Sequence, residues 1–221
     1  MRYCSLLALA LFGAAATSAM ADVVIANGGF ENAGATAADA EFWNANFIPT
    51  PGSDARRNFG NAATGGFCGY MVAVGNDLAG SAAGFTQNSA AQAIGSLQPG
   101  SSVSMTFSGN YTFGPGGVGF YALRILNSAG AIVADTTLQG IFSNTNGYQQ
   151  FTSPTLNVPA AGVFPNDAFY AFVEFDVNAG AFNGSTAQAY IDDVNVQGTL
   201  VPAPATLALF GGLALAGRRR R

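Results

Sequence analysis

The sequence predicts an all-β protein whose central part, residues 22–199, folds as a single β-sandwich. Short runs of β-branched and aromatic residues recur through this part of the chain. No long stretch of it places apolar residues at helical spacing. Many short strands joined by turns are typical of a sandwich. The strands are separated by clusters of turn-forming residues, among them Gln98–Gly100, Gly114–Gly117, Asn127–Gly130 and Asn144–Gly147.

Each predicted strand is either an alternation of apolar and polar residues or a short apolar run between turn formers. Val103–Tyr111 alternates most clearly. Ser89–Ile94 fits either a helical turn or a poor strand, and both readings stay open. In chain order, the predicted strands are Val23–Ala26, Phe42–Ile48, Phe67–Val74, Val103–Tyr111, Val118–Leu126, Ala131–Leu138, Tyr148–Val158, Ala168–Val177 and Gln188–Val196.

The first 21 residues have the features of a secretory signal peptide. Arg2 is their only charged residue, Leu6–Ala16 is apolar, and Ala19-Met20-Ala21 is a small-x-small cleavage site. We therefore predict that signal peptidase cleaves after Ala21, so that the mature chain begins at Asp22.

Residues 200–221 form a second targeting segment. Val201-Pro202-Ala203-Pro204 is followed by an apolar run, Ala205–Gly217, and then by four arginines. As a helix the run would be about 20 Å long, against about 30 Å of bilayer hydrocarbon. The arginines suit a cytoplasmic stop. A plain C-terminal membrane anchor is one interpretation of this order.

The order also resembles the PEP-CTERM sorting signal of Gram-negative bacteria that carry an exosortase. That signal has Pro-Glu-Pro, a short hydrophobic segment and an arginine cluster, and Ala203 stands where the family usually has glutamate. The resemblance implies an exported protein whose tail, a hydrophobic sorting helix, inserts transiently in the membrane. An exosortase-type protease then cuts near Pro202–Pro204. The implied location is the cell surface, the outer membrane or an extracellular biofilm matrix.

The charged residues of the body exclude several classes of function. Its basic residues are Arg56, Arg57 and Arg124, against all 12 acidic residues of the chain, which gives a net charge of −9. This charge argues against nucleic acid as a partner. The absence of histidine removes the commonest general base, and the absence of lysine removes Schiff-base chemistry. We predict a protein that is not an enzyme.

Short motifs spread over nearly the whole body carry a second resemblance. Together they resemble the galactose-binding-like jelly roll, especially its carbohydrate-binding modules. The resemblance implies a jelly-roll sandwich and an extracellular polysaccharide as partner. The motifs are, in order, Asn27–Glu31, Trp43, Gly84–Gln87, Leu97–Phe107, Tyr148–Thr152, Phe169–Val177 and Tyr190–Val196.

Asp192 is the strongest candidate for a metal ligand. On an unbroken strand Tyr190, Asp192 and Val194 share one face, which we predict to be the inward face. A buried carboxylate needs a partner. The resemblance implies a structural Ca²⁺ between Glu31 and Asp192. Alternatively, Asp192 accepts backbone N–H groups and Glu31 caps a turn, and both interpretations stay open.

The candidate ligand-binding residues are aromatic. Trp43 either stacks on a sugar ring or belongs to the core. Tyr111 and Tyr121, on either side of Gly114–Gly117, either form a ligand-facing rim or are core residues. Glu174 and Asp176 lie two apart on a predicted strand and are either a pair that cleaves glycosides or a solvated outer face.

Three functions fit these observations. The favoured one is an exported, non-catalytic surface or matrix protein that binds polysaccharide. The second is a purely structural or adhesive matrix protein without a glycan ligand. The third is a glycan-active hydrolase that uses Glu174, Asp176 or another acidic pair.

Overall fold

The computed structural model describes residues 22–48, 51–92, 94–163 and 168–201, and the regular secondary structure in them is almost entirely strand. The strands are β1 (Asp22–Val23), β2 (Asn44–Phe47), β3 (Asp54–Phe59), β4 (Phe67–Val74), β5 (Ser81–Asn88), β6 (Ser96–Leu97), β7 (Ser102–Phe113), β8 (Val118–Leu126), β9 (Ile132–Asp135), β10 (Gln139–Ile141), β11 (Gln149–Thr152), β12 (Leu156–Asn157), β13 (Tyr170–Ala179), β14 (Thr186–Gly198) and β15 (Leu200–Val201).

Two antiparallel sheets pack against each other. The first has the order β11-β7-β14-β4-β3, with β1 paired to β14 and β12 to β7. The second has the order β10-β8-β13-β5-β2, with β9 paired to β8. Long strands that follow one another along the chain, such as β4 and β5 or β7 and β8, lie in different sheets, as in a jelly roll. The predicted all-β sandwich is confirmed for the described residues.

The prediction missed five strands, of which β3 and β5 are the longest and β6, β10 and β15 have two or three residues each. The β3 sequence, Asp54–Phe59, is charged, which suits its position at the edge of the first sheet. The β5 sequence, Ser81–Asn88, is rich in small residues yet pairs with β13 along its whole length. Strand propensity depends on how a side chain packs against its neighbours in the sheet. The composition of β3 or β5 alone therefore does not predict a strand.

Several predicted strands have different bounds in the structure, and two predicted segments differ in kind. Tyr148–Val158 is two short strands, β11 and β12, and Pro154 lies between them without an N–H to donate. The open segment Ser89–Ile94 begins with one turn of 3-10 helix, Ser89–Ala91, which the side chain of Asn88 caps.

The core between the sheets is aromatic. Phe30 stacks on Trp43 with ring centroids 4.8 Å apart, and Phe85 and Phe175 pack against the same indole. The indole N–H of Trp43 donates to the carbonyl of Asn27 at 2.9 Å. Aromatic side chains supply much of the area that such a core buries.

The two ends of the described body lie side by side. Asp22 pairs with Gly198, and the backbone N–H of Leu200 donates to the Asp22 carboxylate at 3.3 Å. Val201 pairs with Ser96. The predicted signal peptide with Ala21, and the sorting residues Pro202, Ala203 and Pro204, lie outside the described residues. Within the described ranges, no helix is long and apolar enough to cross a membrane.

Candidate functional site

The three aromatic residues predicted to contact a ligand belong to the core. Trp43 is 6% exposed, Tyr111 0% and Tyr121 8%. The loop Gly114–Gly117 crosses from the first sheet to the second, and both tyrosines occupy inward positions of the strands it joins. Trp43 and Tyr111 are therefore not ligand-facing. Tyr121 reaches the open edge of the sandwich, where its hydroxyl donates to the Thr152 carbonyl at 3.3 Å.

Asp192 is buried, but not for the predicted reason. Asp192 pairs with Ser108 whereas Asn195 pairs with Thr106, so β14 has one extra residue at Asp193, whose φ is +50°. Such a β-bulge reverses the alternation of side chains along a strand. Asp192 therefore lies on the outward side of its sheet together with Tyr190, and the prediction that they share the inward face of Val194 is wrong.

The loop 61–66 covers Asp192, and two carboxylates hold this loop. Asp192 accepts the backbone N–H groups of Ala63 at 2.7 Å, Thr64 at 3.0 Å and Asp193 at 2.8 Å. Glu31 accepts those of Gly66 at 2.8 Å and Phe67 at 3.1 Å. Burial raises the pKa of Asp192 above its ordinary value, although the N–H donors act in the opposite direction.

The donor set around Glu31 and Asp192 does not fit a calcium centre. Calcium takes six to eight oxygen ligands, whereas these carboxylates point their oxygens at N–H groups. Among the described residues, no three cysteine, aspartate or glutamate side chains lie together in a way that could hold a metal ion. The arrangement fits the alternative interpretation, in which Asp192 accepts N–H groups and Glu31 caps a turn.

The outer face of the second sheet carries Glu174 and Asp176. Both lie on the outward side of β13, opposite the buried Val173 and Phe175, and both are only partly exposed. Arg124 on β8 donates from Nη1 to the Glu174 carboxylate, and its Nε lies 3.5 Å from Asp135 Oδ2. These carboxylates are therefore part of an interlinked charge cluster rather than separately solvated.

Asp176 lies at the centre of this cluster. Burial and the neighbouring Glu174 carboxylate raise the pKa of Asp176 to about 7, while Arg124 acts in the opposite direction. The opposing residue on β5 is Gly84, where a Cβ would overlap the Asp176 carboxylate and lie 2.5 Å from the Phe175 carbonyl oxygen. Asn46 on β2 lies beside the same glycine. Because glycine at position 84 has no side chain, the Asp176 carboxyl group can occupy this space.

Aromatic rings lie beside the charges. The Phe172 ring centroid is 5.9 Å from Arg124 Cζ. Phe120 pairs with Asp176 across the strands, and its ring is 6.2 Å from that of the exposed Phe142. A shallow pocket of about 230 Å³ next to Asp176 is lined by Asn46, Ile48, Ala82 and Ala83. We call this surface the carboxylate face and define it by Asn46, Phe120, Arg124, Phe172, Glu174 and Asp176.

The two carboxylates of the carboxylate face are the pair considered for glycoside cleavage. Glycosidases hold their two carboxyl groups at least about 5 Å apart, so that the sugar or a water fits between them. Glu174 and Asp176 lie close enough together that Glu174 raises the pKa of Asp176. Arg124 and Asn46 were not predicted to belong to a site, and the only signal for Arg124 in the sequence is a charge within the otherwise apolar Val118–Leu126.

No family model and no curated protein matches the chain. Among solved structures, it is similar to the enzymatically active domain of tailspike protein 4 of bacteriophage CBA120, with 21% identity and a TM-score of 0.53. The match covers 81% of this chain and 21% of that one, so the chain spans about a fifth of the tailspike domain. This likeness shows the fold alone. The fold is a β-sandwich.

Two further similar structures have TM-scores below 0.5. TmCBM61, solved in complex with β-1,4-galactotriose, is 16% identical with a TM-score of 0.43, and the match covers 79% of this chain and 97% of that one. The CBM22-1 xylan-binding domain from Paenibacillus barcinonensis Xyn10C is 7% identical with a TM-score of 0.45, with 82% and 97% covered. Both are carbohydrate-binding modules, and likeness at this level adds no argument about a ligand.

Proposed function

We propose that this protein binds a neutral polysaccharide through the carboxylate face and that it does so without catalysing a reaction. The observation that carries the proposal is the cluster of Arg124, Glu174 and Asp176, which is partly buried between aromatic rings on an open sheet face. Partly buried charges reduce stability unless they are fully paired. A cluster of this kind is characteristic of functional sites.

The chemistry of the face matches that of a sugar. Carboxylates accept hydrogen bonds from hydroxyl groups, a guanidinium donates them, and a protonated carboxyl group does both. Phe172 and Phe120 offer flat apolar surfaces to the C–H faces of the rings. A neutral ligand fits best, since the body has three arginines against 12 acidic residues and would repel an anionic glycan.

The proposal includes export to the surface or extracellular matrix of a Gram-negative bacterium. Its support is the two targeting segments, 1–21 and 200–221, together with the adjacent ends of the body. With both segments joined to one end of the sandwich, the carboxylate face lies on a flank of the molecule.

Mass spectrometry of the native protein from surface and medium fractions tests this location. We expect a mature chain that begins at Asp22 and ends near Pro202–Pro204, because of the two cleavage sites. A chain that still ends at Arg221 would contradict cleavage by a sorting protease and would favour a permanent membrane anchor.

Affinity electrophoresis in gels that contain xylan or β-1,4-galactan tests binding. We expect retardation of the wild-type body by at least one neutral glycan, and weaker retardation of Glu174→Gln and Phe172→Ala. Glu41→Gln, a loop carboxylate away from the face, should behave as the wild type. Assembly without any glycan preference would favour the structural alternative. Release of reducing sugar that disappears in Glu174→Gln would make the protein a hydrolase.

A further inference from the structure

The outer face of the first sheet carries a row of tyrosines that the proposed function does not use. Arg56 on β3, Tyr70 on β4, Tyr190 on β14 and Asn110 on β7 are direct cross-strand neighbours. The ring centroids of the two tyrosines are 5.2 Å apart, and Arg56 Cζ lies 5.2 Å from the Tyr70 centroid. We call these four residues the tyrosine row.

The row is accessible and has a wall on one side. Its side chains are exposed or partly exposed and point away from the core. On the Asp192 side of Tyr190, the loop 61–66 folds over the sheet, and the Tyr148 hydroxyl donates to the carbonyl of Asn61 in that loop. The two tyrosine rings therefore form a flat surface that the loop 61–66 borders on one side.

On the side away from Asp192, the neighbours of the row are mostly polar and carry no net charge. The adjacent cross-strand set is Asp54, Val72, Gln188 and Thr112. Arg56 forms an ion pair with Asp54 at 2.8 Å, which cancels the two charges. Flat rings edged by amide and hydroxyl groups suit a sugar chain, and repeated rings across neighbouring strands suit a repeating ligand. A second copy of this chain suits the row less, because two bodies of net charge −9 repel each other.

We propose that the tyrosine row is a second polysaccharide site, and that the protein joins two polysaccharide chains. This inference rests on the proposed function for its bridging part. The row and the carboxylate face lie on opposite outer faces of a sandwich whose sheets are about 10 Å apart. A single stretch of sugar cannot contact both outer faces, so the two sites hold two separate stretches.

A sandwich assay tests the bridge. Xylan-coated beads are incubated with the protein and then with fluorescent soluble xylan, or with β-1,4-galactan in both roles where that glycan gives the stronger retardation. The wild type is expected to bind the beads and to capture the soluble label. The double variant Tyr70→Ala/Tyr190→Ala is expected to bind the beads through the carboxylate face but to capture at least about tenfold less label, since one site cannot bridge.

Two further variants keep the test sharp. Arg56→Ala combined with Asn110→Ala keeps both rings, removes their polar neighbours and is expected to reduce capture severalfold. Gln150→Ala, an exposed residue on β11 of the same sheet, is the matched control and should capture label as the wild type does.

Each other outcome overturns a defined part of the account. Full capture by the tyrosine double variant, or bead binding by the wild type without capture of label, would overturn the second site and leave the proposed function standing. No bead binding by the wild type would overturn both. A wild-type dimer in size-exclusion chromatography that dissociates in the tyrosine double variant would assign the row to self-association instead.

Discussion

Asp192→Ala is expected to lower the free energy of unfolding by about 3 kcal/mol. The change removes the buried acceptor of three backbone N–H groups, those of Ala63, Thr64 and Asp193. An unsatisfied buried donor costs about 1–3 kcal/mol, and partial opening of the loop limits the total. Urea unfolding followed by the fluorescence of Trp43, the one tryptophan of the chain and a buried one, measures the loss.

The neighbouring carboxylate is the matched control. Asp193 is more exposed and accepts hydrogen bonds from the hydroxyl groups of Thr64 and Ser108. We expect Asp193→Ala to cost less than about 1 kcal/mol, as for most partly exposed groups. Equal losses in the two variants would contradict the assignment of Asp192 as the residue that holds the loop.

The same experiment decides between the loop and calcium. Because the Asp192 and Glu31 oxygens face N–H groups, we expect unfolding of the wild type to be the same in EGTA and in excess Ca²⁺. A stabilisation by Ca²⁺ that disappears in Asp192→Ala would contradict this expectation and would establish the calcium site.

Asp176→Asn is expected to stabilise the protein at pH 8 and to leave its stability nearly unchanged at pH 4. The ordinary pKa of the carboxyl group is 3.8, and burial beside Glu174 raises the pKa of Asp176 to about 7 in the folded state. Between these two values the folded protein holds a proton that the unfolded chain has released. The stability of the wild type therefore falls as the pH rises from about 4 to about 7 and then levels off. Asparagine does not titrate, so the variant lacks this fall.

The expected size of this effect is about 2 kcal/mol at pH 8. The full shift would correspond to about 4 kcal/mol, and the partial exposure of Asp176 reduces it through solvent screening. For a domain of this size, the midpoint of thermal unfolding then rises by roughly 4–8 °C. Thermal unfolding at pH 4 and pH 8 tests this, with Glu41→Gln as control. Parallel pH profiles for wild type and Asp176→Asn would contradict the raised pKa.

A raised pKa at Asp176 also bears on function. This carboxyl group lowers the free energy of unfolding near neutral pH. Its replacement would therefore not destabilise the fold. The ligand that we propose would account for its place beside Arg124 and the Phe120 ring, because it would use the hydrogen bonds of this group.

The long strands are visible in the sequence because they alternate. Most of β7, β8, β13 and β14 was predicted from apolar residues at every second position or in short runs. The strands β3 and β5 were not, because their sequences are charged or rich in small residues. They become strands through pairing with β4 and β13, which is a property of the assembled sheet.

The candidate site was only partly predictable, because its contacts also depend on how the strands pair in the assembled sheet. The outward position of Glu174 and Asp176 follows from alternation along one strand. The contacts with Arg124 and Asn46 depend on the register between β2, β5, β13 and β8, which no local pattern specifies.

Asp192 shows how a single inserted residue defeats alternation. The sequence from Tyr190 to Val196 has the appearance of an unbroken strand, so the predicted face for Asp192 was wrong. The bulge at Asp193 reverses the alternation of inward and outward side chains in the middle of β14. This reversal is seen only in the pairing of β14 with β7.

The affinity of the body for the neutral glycan that retards it most strongly tests the central claim most directly. Isothermal titration should give a dissociation constant at least about tenfold higher for Glu174→Gln than for the wild type, since hydrogen bonds to a charged group contribute about 1.5–3 kcal/mol. Glu41→Gln should leave the constant unchanged. Equal affinities of Glu174→Gln and the wild type would show that the carboxylate face is not the binding site.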